Sequence, residues 1–344
     1  MSKPLKNLAE WRQYFENVGL NLDAIDLNCS VVERQLSAGV PVIFEREHLS
    51  RLLGVHAGFF DFCLSRPQEN YRVFEIPKRR GGVRHLVAPK QVLKKCQRWI
   101  NLNILAGLKI SPVVKGFVVG RSVISHAKSH HRNKFVLVVD IENFFPTIDF
   151  GRVYSVFSQV GYSQNVSTAL AAICCLDRAL PQGAPTSPAI SNLVCSRLDK
   201  RLSALASKNK LTYTRYADDM AFSGAVFRKG FELQVYEIIN QEGFRPNVKK
   251  TRIMQPKGQR IITGISIGRD KIRVPRDFKR QLRSEVYFVL KYGLVSHCLN
   301  KNIRSPSYID TLLGRLNYWR QVEPDEIFAL DLYKKLFSYK QKLV

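Results

Sequence analysis

The sequence predicts an α+β fold: an antiparallel sheet backed by helices on one face, set between a helical N-terminal region and a helical C-terminal subdomain. Three observations carry this. In "KFVLVVDIENFFPTI" the near-continuous apolar run Phe135 to Val139 marks a buried strand, closed by Asp140 with Pro146 close behind. In "YTRYADDMAFSG" two strand-like runs, Leu211 to Tyr216 and Met220 to Ser223, flank a tight turn that holds Asp218 and Asp219. The succession strand, helices, strand, strand, helix, strand is the β-α-β-β-α-β split arrangement.

Residues 1 to about 65 read as helical, with "HLSRLLGVHAGFFDFCLS" placing Leu52, Leu53, Val55, Phe59 and Phe60 near helical period after a Ser50 cap. "YRVFEIPKRRGGVRHLVAPK" follows as a β-hairpin whose tip is Lys78, Arg79, Arg80, Gly81 and Gly82. A helix is expected over about 90–108, then helical segments over about 150–173 and 186–206 on either side of a loop, and another over about 230–242. "RIITGISI" and "KIRVP" read as a second hairpin around Gly268, Arg269 and Asp270. Residues 276–344 are helical, basic and interleaved with tyrosines. No internal repeat, low-complexity segment or heptad run occurs.

The chain has 344 residues, more than one compact core usually holds, so several subdomains are expected. Lys and Arg number 54 against 28 acidic residues, a formal charge of +26 spread along the whole length, which points to a polyanion partner, nucleic acid foremost. The seven cysteines are scattered without C-x-x-C spacing, which argues against a disulfide framework or a zinc site and for a reducing cytoplasm. The N-terminus lacks an apolar signal core, and no apolar run reaches membrane-spanning length, so no secretion and no membrane partner are expected.

Adjacent aspartates alone say little. Asp218 and Asp219 at a hairpin turn, with Asp140 ending a strand of the same sheet, say more, because three converging carboxylates are costly unless cations lie among them. Oxygen-only ligands favour a hard ion such as Mg²⁺. Two such ions, about 3.5 to 4 Å apart, activate an attacking hydroxyl and steady the leaving oxygen at phosphorus.

On these residues the sequence resembles a reverse transcriptase. "FVLVVDIENFFPTI" is similar to the first catalytic-aspartate block of that family, "LPQGAPTSPAISN" to its nucleotide-pocket block and "YTRYADDMAFSG" to its Y-x-D-D hairpin, in matching order from about residue 70 to 275. Within the family it resembles the bacterial retron type. "RSVISHAKSHH" is similar to the retron Asn-Ala-x-x-His block, with Ala127 and His130 in place and His126 where asparagine is usual; "RIITGISI" is similar to the Val-Thr-Gly block, with Ile262 before Thr263 and Gly264.

The resemblance implies a right-hand polymerase: an N-terminal helical region over 1–65, fingers with the RNA-recognition block over 66–133, a ferredoxin-like palm over 134–274 with fingers helices partly within 150–205, and a helical thumb over 275–344. It implies that Asp140, Asp218 and Asp219 hold two Mg²⁺ ions, with the Ile141 carbonyl completing one shell. Phe145, five residues after Asp140, takes the place of an aromatic under the sugar ring that excludes a 2′-OH; Phe144 is its neighbour in the pocket, more in keeping with the core. Gln182 and Gly183 belong to the nucleotide pocket, and Lys78, Arg79 and Arg84 clamp the triphosphate. Lys250 matches a lysine that protonates departing pyrophosphate, with Lys249 an adjacent alternative. His126, His130, Thr263 and Gly264 fall in blocks assigned to RNA recognition, and Arg276, Lys279, Arg280 and Arg283 in a thumb that grips RNA.

The activity so implied is RNA-directed DNA synthesis from dNTPs. The retron type further implies copying part of a cognate structured noncoding RNA, priming from a guanosine 2′-OH to give branched RNA-linked single-stranded DNA, and an anti-phage system with a separately encoded effector protein. With no stretch assigned to an RNase H domain, template removal falls to host RNase H. The alternatives are another bacterial group II intron-like reverse transcriptase, or a catalytically idle RNA-binding scaffold on a polymerase fold; the joint presence of Asp140, Asp218 and Asp219 argues against the scaffold.

Overall fold

The structure is a computed structural model that describes residues 5, 7–77, 83–268 and 270–343, with the backbone alone at 76, 77, 84 and 85. Lys78 and Arg79 therefore lie outside the described residues, as does the side chain of Arg84. The chain divides into two compact units that interleave along the sequence: Met1–Val118, Ile141–Leu202 and Leu233–Asn247 form the first; Val119–Asp140, Ser203–Glu232 and Val248–Val344 form the second.

In the first unit, helices Leu8–Asn17 and Leu22–Ser37 are each started by an asparagine whose side chain accepts a backbone N–H, Asn7 from Glu10 and Asn21 from Ala24, both at 2.9 Å. Phe15, Ile25, Cys29 and Val32 form their core. The helix expected after a Ser50 cap is two, Arg46–Leu53 and Gly58–Ser65, because Gly54 turns left-handed (φ 66°) and ends the first. Ser50 lies inside that helix, its hydroxyl donating to the Glu47 carbonyl at 2.8 Å, and Glu45 holds the cap position.

The first hairpin is present, β1 (Tyr71–Pro77) pairing with β2 (Val83–Pro89) so that Ile76 faces Arg84. The helix expected over 90–108 ends earlier, spanning Gln91–Asn103. The segment read as one helix over 150–173 is Phe150–Gln159 and Gln164–Cys174, separated by Gly161 at φ 99°. Gln164–Cys174 is buried nearly all round, through Val166, Ala169, Leu170 and Ile173, so it shows no amphipathic period. Ser187–Val194 and Ser196–Lys208 likewise replace one helix over 186–206.

The second unit holds the palm sheet: β3 (Phe135–Asp140), β4 (Thr212–Tyr216), β5 (Asp219–Gly224) and β6 (Arg252–Met254), all antiparallel, in the spatial order β4-β5-β3-β6. Numbered within the sheet this is 2-3-1-4, the order of a ferredoxin-like split unit. Helix Phe231–Gln241 lies between β5 and β6 in sequence, as expected. Strand β5 begins one residue before the expected Met220, so Asp219 is its first residue and only Ala217 and Asp218 make the turn.

Side chains alternate across the strands, so Val136, Val138 and Ala221 share one face, and with Ala127 and Met254 they join the core of the C-terminal helices. Those helices, Arg276–Tyr292, Leu294–Asn300, Tyr308–Val322 and Ile327–Gln341, contribute Leu282, Val286, Leu312, Leu316, Trp319 and Leu336. Between sheet and helices lie three short strands, β7 (Ile261–Ile262), β8 (Ile265–Ile267) and β9 (Ile272–Arg273), so "RIITGISI" is itself a hairpin in addition to the expected one. Its two-residue turn puts Thr263 at φ 43° and Gly264 at φ 82°, both left-handed as such a turn demands. A β-branched residue is strained there, and its hydroxyl is buried without a partner.

Candidate active site

The register of the palm sheet brings the carboxylates together. β3 and β5 pair from Phe135 opposite Gly224 to Asp140 opposite Asp219, so the two aspartates face each other directly and point to the same side of the sheet. Asp218 occupies the turn immediately before Asp219, and Tyr216 on β4 stands opposite Asp219 on its other side. The three acids that the sequence placed in one site thus lie at one end of one sheet. Among the described residues, no group of three His, Cys, Asp or Glu side chains is already gathered closely enough to enclose an ion.

The turn is braced from behind. Ala217 is left-handed (φ 55°), and its carbonyl accepts a hydrogen bond at 3.0 Å from Arg215, whose guanidinium is fully buried. Arg215 was not singled out from the sequence. Its signal was a cation in a strand whose other central positions, Tyr213 and Thr214, are equally buried. A buried guanidinium is stable only where acceptors meet its donors, so its presence fixes the turn it binds.

Lys250 lies beside the acids: its ammonium reaches both carboxylate oxygens of Asp140, at 2.9 and 3.1 Å. Lys250, and not Lys249, makes this contact. The lysine side chain is 61% exposed and that of Asp140 16%, so water screens the pair and leaves the ammonium free to exchange partners. Asp219 is the more strained acid. One of its oxygens is buried without a hydrogen bond. Burial foremost, and then the neighbouring Asp218 charge, pushes its carboxyl up from 3.8 to about 7, against the pull of Arg252 on β6. Arg252 is a second cation the sequence reading passed over.

An unpartnered carboxylate oxygen at the end of a strand, opposite another carboxylate and beside a third, fits a hard divalent cation and little else. Asp140, Asp218 and Asp219 would hold it. Ile141 is buried and its strand bridge runs to Pro246, within the first unit.

The remaining expected residues divide. In the first unit Phe144 is buried against Phe145 and Phe244, so it belongs to the core and not to a pocket wall, whereas Phe145 is half-buried. Gln182 accepts the Val87 N–H through its carbonyl at 3.0 Å, and Gly183 (φ 132°) passes so close to β2 that a Cβ would sit 2.6 Å from the Val87 carbonyl oxygen. The glycine is required by that approach, whatever else binds there. In the second unit His126 and His130 are fully buried and bonded to protein side chains, so they do not lie on a surface that RNA touches. The resemblance puts them in a block assigned to RNA recognition; an i, i+4 pair on the short helix Val123–Lys128 and its end instead turns inward onto β4 and β5. Lys279 is likewise occupied, paired with Glu323 at 2.7 Å and set over Trp319, and Arg283 lies over Phe328 at 4.4 Å. Arg276, Arg280 and Gly264 are exposed, and Thr263 is half-buried.

A family model described as "Reverse transcriptase (RNA-dependent DNA polymerase)" matches residues 76–272. Retron Ec86 reverse transcriptase of Escherichia coli is 33% identical over 260 residues, covering 74% of this chain and 81% of its own length. Two Myxococcus xanthus proteins, Retron Mx162 and Retron Mx65 reverse transcriptases, are 34% and 35% identical over 294 and 280 residues; each match covers 74% of this chain but only 61% and 65% of the relative. Among solved structures, the foamy viral protease-reverse transcriptase dRH in complex with ds DNA aligns over 99% of this chain and 58% of its own, with a TM-score of 0.45 and 15% identity.

The charge state of Asp219 has a measurable consequence. An acid that holds its proton more tightly folded than unfolded adds stability below its unfolded value, and that contribution is lost as pH rises through about 7. In metal-free protein, Asp219→Asn therefore raises the thermal midpoint most at about pH 8; the gain is smaller at about pH 5, where only the unfolded aspartate is ionised, and vanishes only below the unfolded value of 3.8. A gain of equal size at both values, read by calorimetry, contradicts this account of the site.

Proposed function

The chain belongs to the bacterial retron-type reverse transcriptases and is an RNA-directed DNA polymerase; from that premise we propose that it copies part of a cognate structured noncoding RNA into single-stranded DNA, extending a guanosine 2′-OH of that RNA. The observation that carries the reading is Asp140 opposite Asp219, with Asp218 beside them, at the end of an antiparallel palm sheet. An idle scaffold has no reason to keep like charges paired there.

In this reading Asp140, Asp218 and Asp219 hold two Mg²⁺ ions, which supply charge neutralisation at the attacking and leaving oxygens. The chain's own residues do the rest. Lys250 shields Asp140 and, as pyrophosphate departs, gives up a proton from Nζ to a phosphate oxygen; general acids of this kind contribute on the order of 10²- to 10⁴-fold. Phe145 bars a ribose 2′-OH by its bulk, while Gln182 and Gly183 shape the nucleotide pocket. Lys78, Arg79 and Arg84 clamp the triphosphate of the incoming dNTP. Arg276 and Arg280 on the exposed side of helix Arg276–Tyr292, with Thr263 and Gly264, contact RNA.

The formal charge of +26 suits a partner as highly charged as RNA. Among the described residues no helix is long and apolar enough to cross a membrane. Activity in the cytoplasm, an anti-phage role with a separately encoded effector protein, and template removal by host RNase H complete the proposal.

Asp218→Asn is expected to abolish DNA synthesis, by on the order of 10²-fold or more in primer extension, while the RNA that copurifies with the wild-type protein still copurifies. Persisting synthesis would place the chemistry elsewhere. Sequencing that copurified nucleic acid should return one structured RNA joined to DNA through a guanosine 2′-OH; unbranched DNA would favour the group II intron-like reading. Phe145→Ala should let ribonucleotides in, seen as ribonucleotide incorporation approaching that of dNTPs. Unchanged sugar selectivity would remove its gating role.

A further inference from the structure

Five polar side chains of the second unit form one chain of hydrogen bonds beneath the catalytic hairpin. Asn133 Nδ2 donates to Ser223 Oγ at 2.7 Å, and Ser223 Oγ lies 2.6 Å from His130 Nδ1. His130 Nε2 lies 2.7 Å from Thr214 Oγ1, which is also 2.7 Å from His126 Nδ1. His126, His130 and Ser223 have no exposed surface, and Thr214 is buried.

Either direction of donation leaves one buried proton of the chain without an acceptor: that of Ser223 if donation runs from His126 toward Ser223, or that on His126 Nε2, which meets no hydrogen-bond partner, if it runs from Ser223 toward His126. In both, a neutral His130 ring bridges Ser223 and Thr214, one nitrogen donating and the other accepting.

The strands it joins are those that make the catalytic turn. Thr214 on β4 faces Ala221, and Ser223 on β5 faces Thr212, so the His130 ring clasps the two strands on a diagonal. Both contacts lie on the face that carries Asp140 and Asp219, because residues two apart on a strand share a face. The clasp therefore fixes how far one strand can slide along the other, and any slip displaces the turn that holds Asp218. Its far end is tied to the third strand: the buried Arg260 guanidinium donates to the carbonyls of Asn133 and Lys134, just before β3, which ends in Asp140.

We propose that His130 is a positioning residue for polymerisation, acting through the Ser223–His130–Thr214 clasp to hold the Asp218–Asp219 turn in register with Asp140, and not through contact with RNA. The inference rests on the polymerase reading above. It gives the His-containing block a task that its burial permits and that RNA recognition by these side chains does not.

The test compares wild type with His130→Leu, His130→Gln, Thr214→Val and the His130→Leu/Thr214→Val double variant. Three quantities are read on a pre-annealed RNA template and DNA primer: the single-turnover incorporation rate at saturating dNTP, the Kd for the duplex by fluorescence anisotropy, and the thermal midpoint. His130→Leu is expected to slow saturating incorporation by roughly 10- to 100-fold, with duplex Kd unchanged. His130→Gln, which still carries a donor toward Thr214, recovers part of the rate, and adding Thr214→Val to His130→Leu costs little more. A weaker Kd with an unchanged saturating rate would return His130 to RNA contact and overturn the proposal. A lower midpoint with an unchanged rate would overturn it too, leaving His130 with a purely structural role. Should His130→Leu fail to fold, the rate of His130→Gln and the ¹⁵N spectrum of wild-type imidazoles decide: His130 must be a neutral imidazole locked in a single tautomer, and an imidazolium near neutral pH or freely exchanging tautomers defeat the clasp. A wild-type protein that synthesises no DNA would instead defeat the polymerase reading, with the tautomer unaffected.

Discussion

Asp140 and Asp219 stand opposite each other across two paired strands, and much of the second unit is arranged around that repulsion. Like charges in register destabilise a sheet, and the pairing cannot slip to relieve them because β3 and β5 are buried on both sides from Val136 to Val139 and from Met220 to Gly224. The cost appears in the chemistry of the pair: Asp219 holds its proton to about 7 and keeps a buried oxygen without a partner. Lys250 relieves Asp140 from solvent, and Arg252 acts on Asp219 from β6, on the other side of β3. A fold that concentrates negative charge in an otherwise strongly cationic chain has built a place for cations.

Around this centre the buried polar groups work as braces. Arg215 secures the left-handed Ala217 that brings Asp218 into the turn. The chain of hydrogen bonds through His130 joins β4 to β5, and Arg260 ties its end to the start of β3. Each of these groups would be expensive to bury alone and is held in place by the hydrogen bonds it makes. The consequence is a rigid hairpin at the end of a sheet one face of which is anchored in the core of the C-terminal helices. Rigidity suits chemistry in which carboxylates must keep their places while nucleotides come and go.

The palm was legible in the sequence because its strands are short, apolar and closed by charged residues, so "FVLVVD" and "YTRYADD" announce both element and site. Their register was not: pairing depends on contacts between segments far apart in the chain, and only the shared motif order hinted at it. Helix boundaries failed where a glycine turned left-handed, at Gly54 and Gly161, since a glycine within an apolar pattern reads equally as interruption or interior. The buried helix Gln164–Cys174 was found without its limits for the same reason, there being no polar face to mark its period. The histidines were misjudged more deeply. A polar pair in a basic segment looks exposed, and nothing local to "SHAKSHH" shows that Thr214 and Ser223 wait to receive it. Lys279 was misread in the same way, as a contact for RNA when Glu323 and Trp319 already hold it.

The claim on which the account turns is that acids distant in sequence form a single cation site. Electron paramagnetic resonance of Mn²⁺ titrated into the protein measures it without any nucleotide chemistry. The account predicts that Asp140→Asn and Asp218→Asn each remove the same bound Mn²⁺ signal that the wild type shows. A variant at Asp140 that binds Mn²⁺ as the wild type does would contradict it.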